Sequence, residues 1–174
     1  MPTTVALVPL HPARDFGAVE SVYRRAADYL ALESGLTPDA AAHAFFEERP
    51  PASTEDTLKF GICGNDDALV AIGDLAFGYP EADDAYLGLL LLVPEARGEG
   101  LGQAILCEVK KLARARRASR LLIGVLDANQ RARTFWERQG FELDQTSGPH
   151  ALGNRRHIVH RFALSLTAPS ENCA

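Results

Sequence analysis

The residues best suited to chemistry run from Arg97 to Gln103, with glycines at 98, 100 and 102. An apolar run, Tyr86 to Val93, precedes them, and Leu101, Ile105 and Leu112 follow at helical spacing. A strand that passes through a glycine turn into a helix N-terminus is an anion site by construction. The first amides of a helix have no internal partner, and they point outward where the macrodipole is positive. Glycines, lacking a Cβ, let a phosphate reach the main chain. The expected ligand is a diphosphate. Two other loops of this general kind fail on chemistry. A dinucleotide fingerprint needs G-x-G-x-x-G and an acidic residue about 20 positions on. Here the order is G-x-G-x-G, position 103 is Gln, and the region beyond carries Arg114, Arg116, Arg117 and Arg120. A P-loop needs Lys and then Ser or Thr after its last glycine, and Gln103-Ala104 supplies neither.

A second informative segment runs from Asn129 to Phe141 and includes Ala132, Phe135, Trp136, Glu137 and Gly140. Arg97-x-x-Gly100-x-Gly102 resembles the acetyl-CoA signature Gln/Arg-x-x-Gly-x-Gly/Ala of the GNAT superfamily of N-acetyltransferases. The Asn129 segment is similar to that family's N-x-x-A-x-x-[aromatic or Leu]-Y-E-x-x-G-F, and the two occur in the family's order. The resemblance extends over about residues 3 to 166, with specific motifs from about 60 to 141.

The resemblance implies acetyl-CoA as cofactor, lying in a gap between the fourth and fifth strands. It assigns backbone contacts to Leu91 and Val93, and the phosphate cradle to Arg97, Gly98, Gly100 and Gly102, joined by Gln103. Asn129 would cap its helix and reach the cofactor arm, and Trp136 would pack on pantetheine. Arg131 and Arg133 are further candidates for a CoA phosphate. Leu87, Leu89 and Leu90 read as packing residues. The Val93 amide, ahead of Pro94, is the expected donor to the oxyanion that forms during acyl transfer.

The implied reaction is direct attack by a primary amine of a small molecule or peptide on the thioester. Family members commonly carry Tyr where this chain has Trp136; the indole N–H is a hydrogen-bond donor but no proton source at neutral pH. A base must also deprotonate the amine, and Tyr86 to Val93 contains no carboxylate or imidazole. Asp74 and Tyr79 are the leading catalytic candidates, followed by Glu81, His157 and His160. Tyr29, Glu33, Glu81, Asp83 and Asp84 would select a cationic acceptor. The competing reading is a non-catalytic acyl-CoA-binding sensor or partner domain.

The elements that must position these groups follow from periodicity and punctuation. Strands are expected at 4–10, 57–63, 69–79, 86–93, 120–126, 141–145 and 155–166, with a hairpin turn at Gly64 to Asp67 and a Gly/Pro loop joining the last two. Helices are expected at 14–33, from Thr37-Pro38 to before Pro50, from about 99, and at 129–139. Strands interleaved with helices imply an α/β or α+β fold. The family form of that fold is a mixed, mostly antiparallel sheet of about seven strands, splayed between the fourth and fifth. A chain of 174 residues fits one domain, 1–166, with 167–174 as a tail.

Composition closes off other classes. The hydrophobic share of 47% and charged share of 24% are those of an ordinary globular chain. A net charge of −5 argues against nucleic-acid binding. Cys63, Cys107 and Cys173 form no C-x-x-C pair, so neither a disulfide framework nor a metal site is expected, and Cys107 reads as a core filler. No apolar run approaches membrane-spanning length, which predicts a cytoplasmic protein with no membrane partner. A homodimer is compatible with all of this.

Overall fold

The computed structural model describes residues 5–51 and 57–167. The expected tail and the start of the first strand fall partly outside that range. Among the described residues the elements are β1 (Val8–Pro9), α1 (Pro12–Arg25), α2 (Ala27–Glu33), α3 (Pro38–Glu47), β2 (Thr57–Cys63), β3 (Leu69–Phe77), β4 (Asp84–Leu92), α4 (Leu101–Ala115), β5 (Arg120–Leu126), α5 (Gln130–Arg138), β6 (Glu142–Leu152) and β7 (Arg155–Ser165). A 3-10 turn, Pro94–Ala96, links β4 to the glycine segment. The strands form one seven-stranded sheet in the order β1-β2-β3-β4-β5-β7-β6. All its pairings are antiparallel except β4 with β5.

Helices cover both faces of the sheet. On one side α1, α2 and α3 bury Val19, Val22, Leu30, Ala42 and Phe45 against Ile72 and Leu91. On the other, α4 and α5 bury Ile105, Leu106, Val109 and Trp136 against Leu75, Leu87, Ile123 and Phe162. The single helix expected over 14–33 is broken at Ala26 (φ −95°, ψ 41°). Ala26 and Leu30 face the same core as Val19 and Val22, so the apolar period continues through the break and does not reveal it.

The last hairpin also differs. The expected Gly/Pro loop is strand, with β6 running to Leu152 and the turn at Gly153-Asn154. Register irregularities between Leu143 and Gln145, and between Ser147 and His150, absorb Asp144 and Gly148-Pro149. Pro149 is tolerated because β6 is an edge strand, where a ladder N–H can be dispensed with. Cys107, expected to be a reduced core filler, is disulfide-bonded, and Cys63 is free.

Two departures from regular pairing shape the centre of the sheet. The parallel β4–β5 register runs from Asp84↔Arg120 only as far as Leu87↔Ile123, after which the strands separate. At the same level β3–β4 pairing jumps from Leu75↔Leu87 to Asp74↔Leu89, so Gly88 is an extra residue in β4. The bulge turns the strand over: Leu87 packs under α4, whereas Leu89, two residues on, packs toward α1–α3.

Candidate active site

The glycine segment has the geometry of an anion cradle. Gly98 and Gly100 sit at φ +85° and +82°, a region costly for residues with a Cβ. A Cβ at either would meet nothing within 4 Å, so backbone conformation, and not crowding, calls for glycine. Gly100 is the N-cap of α4 and offers no side-chain cap, whereas Thr37 caps α3 and Asn129 caps α5. The first amide of α4 to find a carbonyl is that of Ala104, on Gly100. The amides of Leu101, Gly102 and Gln103 are therefore left to an outside acceptor, at the positive end of a helix of 15 residues. A diphosphate fits this donor set by charge and by the clear space at Gly98 and Gly100.

Arg97 enters this arrangement differently. Its guanidinium donates to the Leu92 carbonyl (2.9 Å) and pairs with Asp28 of α2, and its amide donates to Pro94 O (3.2 Å). The side chain thus fastens the turn to β4 and α2. That contact holds the Asp28 carboxyl below its ordinary pKa.

Register also redirects the strand contacts. The Val93 amide donates to Val70 O (3.0 Å) and the Val93 carbonyl accepts from Ala96 (3.0 Å), so neither is free. This removes the expected oxyanion donor. Hydrogen bonding to one neighbour alternates along an antiparallel strand. Leu91, two residues from Val93 and opposite Ile72, therefore also bonds toward β3. The residues whose main chain faces the opening toward β5 are Leu90 and Leu92, of which Leu90 reads from sequence only as a packing residue.

Two adjoining cavities lie where the strands part. The first, the slot between β4 and β5, is lined by Leu87 to Leu90, Ile123 to Leu126, Tyr29, Asn129, Ala132 and Trp136. Asn129 Oδ1 accepts from the Ala132 amide (3.1 Å), and the residue lines the slot. Trp136 is 7% exposed and meets Phe135 and Phe141 edge-on, so it belongs to the core and lines the slot as well.

The second cavity, about 100 Å³, opens toward α2 and α3 and holds Glu33, Glu48, Lys59 and Asp74. The two share Gly88 and Leu89, the residues of the bulge. Lys59 Nζ donates to Asp74 Oδ2 (2.7 Å) and Glu48 O (3.0 Å) and lies 5.2 Å from the Phe45 ring centre. Asp74 Oδ1 is buried with no partner among the described residues. Burial raises the pKa of Glu33, Glu48 and Asp74 above the ordinary carboxylate range; Lys59 pulls the last two back in part. Three carboxylates against one ammonium leave a cation-seeking cavity.

Other candidates lie elsewhere. Tyr79 stands two residues beyond β3, edge-on to Tyr86 at 5.4 Å, and lines neither cavity. Asp84 is 1% exposed at its side chain and takes both Nε and Nη2 of Arg120 (2.8 and 2.7 Å), while Asp83 accepts from Ser119. The acidic turn is thus tied to the start of β5, and Glu81 is exposed. His157 donates from Nε2 to Glu33 O (2.7 Å), and His160 sits between Asp127 and Thr146. Arg133 pairs with Glu137 (2.9 Å) and lies over Phe162. Of the expected acceptor residues, only Tyr29 and Glu33 line the cavities. Glu48 and Lys59 escape sequence reasoning: a lone Glu before Arg49-Pro50 and a lone Lys in a strand carry no local signal. Gly88 inside an apolar run is a usable sign of a bulge.

A parallel pair that splays apart, with an uncapped helix N-terminus at its mouth, is the arrangement that the sequence resemblance implies. The family model for the acetyltransferase (GNAT) family matches residues 19–141, and the chain belongs to that family. An acetyltransferase from Thermus thermophilus is similar in structure, with a TM-score of 0.74 and 26% identity over 94% of this chain and 98% of that one. A Chromobacterium violaceum protein assigned to the GNAT acetyltransferases gives 0.77 at 17% identity, covering 95% of this chain and 85% of that one. A spermidine/spermine N-acetyltransferase from Vibrio cholerae gives 0.68 at 12% identity, covering 95% of each chain. No curated protein matches in sequence.

Proposed function

We propose that the protein is an N-acetyltransferase that moves the acetyl group of acetyl-CoA onto a primary amine of a small cationic molecule or peptide. The pyrophosphate is held by the main-chain amides at Gly98 to Gln103. Pantetheine lies in the slot along the backbone of Leu90, with Asn129 and Trp136 on its other side. The thioester comes to rest at Gly88-Leu89, and the amine approaches through the cavity of Glu33, Glu48 and Asp74. The observation that carries this reading is that the two cavities meet at the β4 bulge. A donor entering from the glycine turn and an acceptor entering past α2 then converge on one point, and such convergence supplies much of the rate of a two-substrate reaction.

The acidic lining supports a cationic acceptor. An ammonium group held by Asp74 Oδ1 and Glu48 would offset the cost of burying those charges. The test is release of CoA thiol by the purified protein given acetyl-CoA and a panel of diamines, amino sugars and peptides. Turnover with cationic amines and none with neutral alcohols is expected. The burial of Trp136 in the core, where it can supply no proton, favours one alternative, a non-catalytic acyl-CoA sensor. Tight CoA binding with silence across the panel would establish it.

A further inference from the structure

Tyr29 and Glu33 are four residues apart on α2, on one face of the helix, and Tyr29 Oη donates to Glu33 Oε1 at 2.7 Å. The pair straddles the boundary between the cavities: Tyr29 lines the donor slot and Glu33 lines the acceptor cavity. Among the described residues no other group that could move a proton bridges the two cavities: the Glu48 carboxylate and Asp74 Oδ1 line the acceptor cavity alone. Asp74 is held by Lys59, His157 by the Glu33 carbonyl, and His160 by Asp127, while Tyr79 is outside both cavities.

We propose that Glu33 is the base that takes the proton of the attacking amine, and that Tyr29 passes a proton to the departing thiolate. This rests on the acetyl-transfer reading above. In the step, the nitrogen–carbonyl carbon bond forms and the carbon–sulfur bond breaks. The proton leaving nitrogen goes to Glu33, the Tyr29 hydroxyl proton goes to sulfur, and Glu33 refills Tyr29 along their existing hydrogen bond. For a neutral amine one proton passes from nitrogen to sulfur; an amine that arrives as ammonium first gives its extra proton through Glu33 to solvent, so that its overall reaction releases one proton. The pair would thereby supply the proton that Trp136 cannot.

The charged and titratable groups around Glu33 are Tyr23 of α1, Tyr29 of α2, Glu48 beyond α3, Lys59 of β2, Asp74 of β3 and His157 of β7. Burial and Glu48 raise the Glu33 pKa against the pull of Tyr29 and His157, which moves the carboxylate toward the range where a base is effective near neutral pH.

The test compares two amines of similar size, ethylamine and 2,2,2-trifluoroethylamine, at high concentration with saturating acetyl-CoA. Ethylamine arrives protonated at neutral pH, whereas its fluorinated analogue is a weak base and arrives mostly neutral. Glu33→Gln should lower turnover of ethylamine roughly 10²–10³-fold and of the fluorinated amine by less than about tenfold. Equal losses with both would show that Glu33 only shapes the cavity, and would overturn the proposal. Glu33→Asp, which keeps the carboxylate, should recover part of the ethylamine rate; a Glu33→Asp enzyme as slow as Glu33→Gln also counts against it. Tyr29→Phe should lower kcat for ethylamine and leave KM unchanged, and a pure KM effect would reassign Tyr29 to binding. Calorimetric CoA affinity, expected within about twofold of wild type in all three variants, reads the parent proposal separately: a wild-type protein that does not bind CoA removes both.

Discussion

Two glycines of the same turn should respond in opposite directions to the same substitution. Gly100 holds φ +82° with nothing within 4 Å of a Cβ built on it. Gly100→Ala therefore has no clash to relieve and costs only the left-handed conformation, about 1–2 kcal/mol. For a domain of this size each kcal/mol lowers Tm by roughly 2–4 °C, so Tm should fall by roughly 2–8 °C. Gly102 lies inside α4 and has no positive φ. Its Cβ would touch the Phe135 ring at 3.4–3.5 Å, the near edge of ordinary contact. Gly102→Ala removes chain entropy from the unfolded state and should leave stability unchanged or higher by up to about 1 kcal/mol, a rise in Tm of up to roughly 4 °C. The family signature's tolerance of Ala at this third glycine has the same physical basis. CoA binding sharpens the contrast. Ligand at about 100 times its Kd stabilises the folded state by about 2.7 kcal/mol, and this increment should shrink in Gly100→Ala, whose methyl enters the space assigned to phosphate. It should persist in Gly102→Ala, whose methyl points at Phe135. Differential scanning calorimetry with and without CoA measures all four quantities. Equal losses of Tm in the two variants, or an undiminished CoA increment in Gly100→Ala, would refute the reasoning.

Three further outcomes follow from the packing and charges. Asp84→Asn breaks a buried bidentate pair at the closed end of the β4–β5 splay; because Arg120 is partly solvated, the expected loss is about 2 kcal/mol, or roughly 4–8 °C in Tm by calorimetry. Glu33, Glu48 and Asp74 all have raised pKa values in the folded state. Between the unfolded and folded pKa the native protein binds more protons, so these groups lower stability as pH rises through that window. Glu48→Gln should accordingly raise Tm at pH 8 and have little effect near pH 4, and an effect independent of pH in thermal melts would contradict this. Trp136→Phe should weaken CoA binding and change turnover by less than about tenfold, since neither ring supplies a proton; a collapse in rate with a normal melting curve would give the indole a direct role.

Local signals determined much of the molecule. Glycine spacing fixed the strand–turn–helix at Arg97 to Gln103, because conformations with positive φ leave few residue choices. Asn129 and Thr37 marked helix starts because their side chains satisfy amides close in sequence. The hairpin across Gly64 to Asp67 and the strands at 57–63 and 120–126 followed from alternation and turn chemistry.

What only the tertiary structure decided depends on which strands are neighbours and in what register. Leu90 lines the slot and Leu91 and Val93 do not, because the Val93 amide is bonded to Val70 on the neighbouring strand β3. Asp83 and Asp84 look like an acceptor site in sequence, yet they serve Ser119 and Arg120, 36 residues away. Glu33, Glu48, Lys59 and Asp74 come from four separate parts of the chain and meet only once the helices close over the sheet. A cavity's charge is a sum over side chains that have no spacing relation to one another. Periodicity reports which face of an element is buried; it does not report which other element covers that face.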